Sequence, residues 1–110
     1  MDEATLWRLA DVGVVALPPE HLPSLIQWCW DRCEISGDAR YCVIARTLTP
    51  INALFEEFEE AGGVDRDLGP IDAIFTVQLR QVLDETDPEA ASLLARAMRE
   101  EVWRVLVLPS

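Results

Sequence analysis

The chain has 110 residues, half of them apolar, with twenty carboxylates against nine arginines, no lysine and a formal net charge of −11. Such a field repels nucleic-acid phosphates and anionic membrane surfaces and attracts a basic partner, although acidity also serves simple solubility. The length suits a single helical domain, residues 1–110, with a modest core, and the apolar half argues against disorder.

The start Met1-Asp2-Glu3 lacks the basic and apolar regions of a signal peptide. No apolar stretch approaches the roughly 20 residues of a membrane span. The cytoplasm is therefore the expected compartment, and the three cysteines, an odd number, read as reduced thiols.

Residues 2–11 predict a short helix with acidic residues at its start and Leu6, Trp7, Leu9 and Ala10 as its apolar positions. Val12 to Leu17 is ambiguous between a prolonged helix and a short extended segment, and Pro18-Pro19 stops either. Pro23 marks the first turn of a second helix that runs to about Glu34. Ser36-Gly37-Asp38 is a turn, with Asp38 placed to cap the next element. Tyr41 to Leu48 has some strand character, but its length and its continuation into another helical pattern favour a helix. Thr49 and Pro50 suit the N-cap and first position of a new helix or a kinked continuation, which Gly62-Gly63 ends.

Pro50-Ile51-Asn52-Ala53-Leu54-Phe55 is echoed twenty residues later by Pro70-Ile71-Asp72-Ala73-Ile74-Phe75. The match is too short for a repeat architecture. It reads as convergence on one solution for opening a helix, with proline first, a polar residue at the third position for free amides, and an apolar stripe turning inward; duplication of a helical hairpin is the alternative. The second of these helices ends near Asp84. Asp87 then caps a long final helix, with Pro88 at its first position and Glu89 in its first turn. Leu94, Met98, Val102, Val105 and Leu106 form its stripe. These elements predict an all-α fold, a compact bundle of four to five helices. The alternative is an α+β fold in which residues 12–17 pair with 105–108 as short strands.

Trp28-Cys29-Trp30-Asp31-Arg32-Cys33 is the densest cluster of special residues. Cys29 and Cys33 share a helix face, but a spacing of four is not that of redox or structural-zinc pairs. Zinc would need Cys29, Cys33, Cys42 and His21 to converge, which nothing in the spacing requires. Buried thiols filling a helical seam are the plainer expectation, so no metal and no cofactor is assigned. Trp28 and Trp30 point about 200° apart around a helix, so one buried face does not easily take both. They are candidate interface aromatics, and Trp7 and Trp103 pose the same question.

Acidic residues cluster twice. Glu56, Glu57, Glu59 and Glu60, with Asp65 and Asp67, form one group, and Asp84, Glu85, Asp87 and Glu89 the other. Glu56 and Glu60 repel at i,i+4, and carboxylates late in a helix oppose its dipole, so local stability does not explain them. A solvated face tolerates them at small cost; the functional reading is a surface for a basic partner. No phosphate loop, calcium loop or histidine-bearing zinc motif occurs, and His21 is the single histidine, so no enzyme is expected. Nucleic-acid binding is not expected either: Arg96, Arg99 and Arg104 of the last helix are opposed by Glu100 and Glu101.

The chain thus reads as an acidic protein–protein interaction module, in first place an inhibitor, immunity or antitoxin-like protein that covers a basic protein surface. The second reading is a homodimeric helical module with a structural, regulatory or small-ligand role. No membrane partner is expected.

Overall fold

The computed structural model describes residues 2–60 and 68–107, without the side chains of Phe58, Glu59, Glu60 and Val107. Helix α1 is Glu3–Val12, α2 is His21–Ser36 and α3 is Ala39–Glu60. Helix α4 is continuous from Gly69 to Asp84, with a π-helical turn at Phe75–Leu79 between α-helical Gly69–Ile74 and Arg80–Asp84; α5 is Pro88–Val107. The fold is all-α, and the described residues contain no strand. The strand pair is not needed: residues 13–20 form turns, and the helix of α5 continues through Val107.

Caps set most of the boundaries. Asp2 precedes α1 and accepts the Thr5 amide at 3.2 Å, and Gly13 closes that helix with φ +83° and its N–H on the Leu9 carbonyl. Gly37, at φ +73°, closes α2 in the left-handed conformation with its N–H 2.8 Å from the Cys33 carbonyl. Asp38 then caps α3, as expected, by accepting the Arg40 amide at 3.1 Å. Asp87 does the same for α5, accepting the Glu89 amide at 3.3 Å.

Pro50 begins no new helix; it lies inside α3. The Thr49 hydroxyl, free of an N-cap role, donates back to the Ala45 carbonyl at 2.8 Å. Proline lacks the N–H that would meet the Arg46 carbonyl, a local cost that burial on both sides of the residue outweighs, with Leu48 and Ile51 sealed in the core. The echo between residues 50–55 and 70–75 is thus a likeness of apolar pattern: Ile51 and Ile71 are both buried, but only the second segment opens a helix. Its polar third position also behaves differently from expectation. Asp72 Oδ1 accepts the Val14 amide at 2.8 Å, binding the turn after α1 to the start of α4.

Helices α2 and α3 form an antiparallel hairpin, α5 packs on the other side of α3, and α4 lies between α5 and α1. Helix α5 runs in the direction of α3. Arg40, near the start of α3, meets the Glu85 carbonyl just before α5, while residues 46–53 face Trp103 and Leu106 near its end. One buried cluster links Leu6, Leu9, Leu25, Ile44, Leu48, Phe75, Met98 and Val102 across all five helices. No helix among the described residues is long and apolar enough to cross a membrane.

Candidate functional site

The cysteines depart from the expectation of three reduced thiols. Cys33 and Cys42 form a disulfide, with Cα atoms 5.6 Å apart, within the span such a bond accepts. The hairpin turn at Gly37 brings the last turn of α2 against the first of α3, which the linear spacing does not disclose. Cys29 remains a free, buried thiol, and burial pushes it up from 9.0 to about 12, since the thiolate loses hydration there. It fills the α2 seam as an inert apolar group. His21 opens α2, about 18 Å along the helix axis from Cys33. The thiols and imidazole therefore do not converge, and no cluster of metal-ligating side chains occurs among the described residues.

Trp28 and Trp30 are both half-buried and pack against the core from different sides of α2. Trp28 meets Tyr41 edge-on, with ring centroids 5.8 Å apart at 84°. Tyr41 is buried, with Arg32 and Arg40 guanidinium groups 5.9 and 6.0 Å from its ring centroid. Trp28 thus belongs to the closed end of the hairpin. Trp30 instead forms one wall of an open groove of about 560 Å³. Arg46, Thr49, Pro50 and Ala53 of α3 form its floor, and Trp103 and Leu106 of α5 the opposite wall. Trp103 is 43% exposed. Two arginines lie over these tryptophan rings within cation–π range: the Arg46 guanidinium carbon is 5.7 Å from the Trp30 centroid and that of Arg99 5.1 Å from the Trp103 centroid. Sequence reasoning singled out Trp30 and Trp103, but missed Arg46, Pro50 and Ala53, which only the packing of α5 beside α3 assembles with them.

Of the acidic residues expected to bind a partner, Glu56 and Glu57 are exposed on α3, and the Asn52 amide lies 3.4 Å from Glu56 Oε1. Glu59 and Glu60 belong to the same helix end, but their side chains are not among those described, and Asp65 and Asp67 lie outside the described residues altogether. Asp84, Asp87 and Glu89 are exposed at the α4–α5 junction, with Glu85 half-buried among them. Two of these carboxylates hold the turn: Glu85 Oε1 accepts the Asp87 amide at 3.2 Å, and Asp87 accepts that of Glu89. Asp84 and Glu89 side chains have no ionic partner among the described residues. The two groups are not one patch. The junction is fastened beside Arg40 at the start of α3, and Glu56 stands about 24 Å further along that helix.

Arg40, unmarked by any sequence motif, positions the junction. Its side chain is 8% exposed, its Nε donates to Asp38 Oδ2 at 2.8 Å, and its Nη1 donates to the carbonyls of Val82 and Glu85, each at 2.8 Å. One guanidinium therefore closes the C-terminal end of α4 and ties it to α3. No family model, curated protein or solved structure matches the chain.

Proposed function

We propose that the protein is a non-catalytic interaction module that covers a basic protein surface with the carboxylates of the α4–α5 junction, as a stoichiometric inhibitor, immunity or antitoxin-like protein would. The observation that carries this reading is the exposure of Asp84, Asp87 and Glu89 on a turn held by Arg40. A turn whose backbone is held leaves only side-chain freedom to be lost on binding, and a field of this sign speeds encounter with a cationic surface. Glu56 and Glu57 extend the field at the far end of α3 rather than the contact itself.

Capture from the native extract, followed by association kinetics with the purified captured protein, tests the reading. The partner should be basic, and association should slow markedly as salt rises. Replacing Asp84→Asn, Asp87→Asn and Glu89→Gln together should slow it about tenfold or more at low salt. Retention of no basic protein, or an unchanged rate in the triple variant, refutes it. A homodimeric module is the second reading, favoured by the half-exposed Trp103 beside the apolar groove; a strict monomer by sedimentation removes it. Disulfides persist mainly in oxidising compartments, so the cytoplasmic location has its own test. Thiol labelling in intact cells should find Cys33 and Cys42 reduced there, and oxidised if the protein is exported.

A further inference from the structure

The groove between Trp30 and Trp103 is a different feature from the acidic junction and has different chemistry. We infer that it binds a small amphiphile with an apolar tail and a single anionic head, a fatty-acid-like carboxylate being the simplest member of the class. Its volume of about 560 Å³ lies in the range of small-molecule sites, roughly 300–1,000 Å³. Trp30, Pro50, Ala53, Trp103 and Leu106 give the tail an apolar trough. Thr49 and Arg46 also line it, but almost wholly through their carbon atoms, and the Thr49 hydroxyl already donates to the Ala45 carbonyl. The exposed Arg46 guanidinium, beside Trp30 at the edge of the groove, is left to meet a head group.

Arg46 is suited to that task. It is exposed, and its guanidinium lies over the Trp30 ring rather than beside a carboxylate among the described residues, although the chain holds twenty acids. A guanidinium has five N–H donors and no acceptor, and a cation–π contact with an aromatic ring satisfies none of them, so they remain for an anion. Arg99 adds a second positive charge beside Trp103, and its buried Nε has no hydrogen-bond acceptor among the described residues. Neither arginine is paired with a carboxylate among the described residues. Charge also selects among occupants. A basic peptide would meet two guanidinium groups, while a second copy or an acidic helix would bring many negative charges to a chain of −11. A monoanion brings only one charge against that field and pairs with Arg46, which a neutral amphiphile does not.

Titration with decanoate, below its micelle concentration, tests the inference, with decanol and decyltrimethylammonium as neutral and cationic controls. Decanoate should bind one per chain, shift the indole N–H signals of Trp30 and Trp103, leave that of Trp7 in place, and bind tighter than either control. Arg46→Met should weaken decanoate about tenfold or more, the worth of a charge-assisted hydrogen bond, and leave decanol unchanged. Ala53→Phe, at an exposed position, should fill the trough and remove decanoate binding with the circular dichroism spectrum retained. Equal binding of decanol and decanoate, indifference to Arg46→Met, or no binding at all overturns the inference. So does a stable dimer that Ala53→Phe splits, because the groove then belongs to a second copy.

Discussion

Replacing Arg40 by methionine isolates the contribution of one guanidinium to the whole fold. Methionine keeps most of the side chain's apolar stem but removes three hydrogen bonds: to Asp38 Oδ2, to the Val82 carbonyl and to the Glu85 carbonyl. The acceptors are then stranded. The Val82 bond is buried, and the Asp38 side chain is only 15% exposed, so water restores little. Each stranded buried acceptor costs about 1–3 kcal/mol, and breaking a buried ion pair from one side costs about 3–5 kcal/mol. Because water reaches Asp38 and Glu85 in part, the lower range applies, and the loss should be about 3–4 kcal/mol. That is a large fraction of the roughly 5–15 kcal/mol by which domains are stable. Urea unfolding followed by tryptophan fluorescence should show the midpoint falling by roughly 2 M at an m-value of about 1.5 kcal/mol/M. Adding Asp38→Asn to Arg40→Met should recover part of the loss, since it removes the uncompensated charge. A midpoint shift below about 0.5 M with m unchanged would falsify the assignment of Arg40 as the tie between α3 and α4.

The Cys33–Cys42 bond closes a loop with a sequence separation of 9, so Cys33→Ser with Cys42→Ser should cost about 2.5 kcal/mol in thermal or urea unfolding. Alkylation of the denatured, unreduced protein should label one thiol per chain, Cys29; labelling of three refutes the pairing. Native Cys29 should resist alkylation near pH 8. Since its folded value of about 12 exceeds its ordinary 9.0, its contribution to stability is complete below pH 9 and is lost as pH rises toward 12, a slope that Cys29→Ala should flatten. Gly13→Ala should cost about 2–3 kcal/mol, because φ is +83° and the new Cβ would stand 2.5 Å from Asp72 Cγ. Gly37→Ala, with φ +73° and open space around it, should lose only about 1 kcal/mol. Equal losses at the two glycines refute the close approach of Asp72.

Local chemistry made the helices legible in the sequence. Asp38 and Asp87 cap as their positions suggest, and Asp84 ends α4 where the apolar pattern does, while Asp2, read as part of the first helix, is its N-cap. Pro50 left a new helix and a continuation both open because its N-terminal preference is a local one; the stripe of buried residues that runs through it decides for the continuation. The stretch Val12–Leu17 stayed ambiguous for a related reason. It is fixed by Asp72, 58 positions away from Val14, and no pattern within the stretch records that partner. The disulfide and Arg40 escaped in the same way: each joins residues whose proximity is created by the α2–α3 hairpin or by the parallel course of α5. The opposed directions of Trp28 and Trp30 were readable from helical angle alone. Their separate fates, one on Tyr41 and one in a groove, depend on which helices arrive on each side.

Along α3 the sign of the local charge changes, and this separates the two binding ideas by a single variable. Arg40 is buried at its start, Arg46 faces the groove, and Glu56 and Glu57 are exposed toward its end. Glu56 stands about 15 Å along the axis from Arg46, nearly two Debye lengths at physiological salt, where screening reaches about 8 Å. An anionic head held at Arg46 is therefore largely screened from that group. Its pairing is short-range, and the burial of its tail does not depend on ions. A basic macromolecule approaching the junction is drawn by the whole acidic field and loses that attraction as salt is added. Raising salt should consequently slow association with a basic partner steeply while changing the affinity for decanoate by no more than a few-fold. If both fall together, the groove and the acidic junction serve one ligand, and the assignment of separate chemistry to them fails.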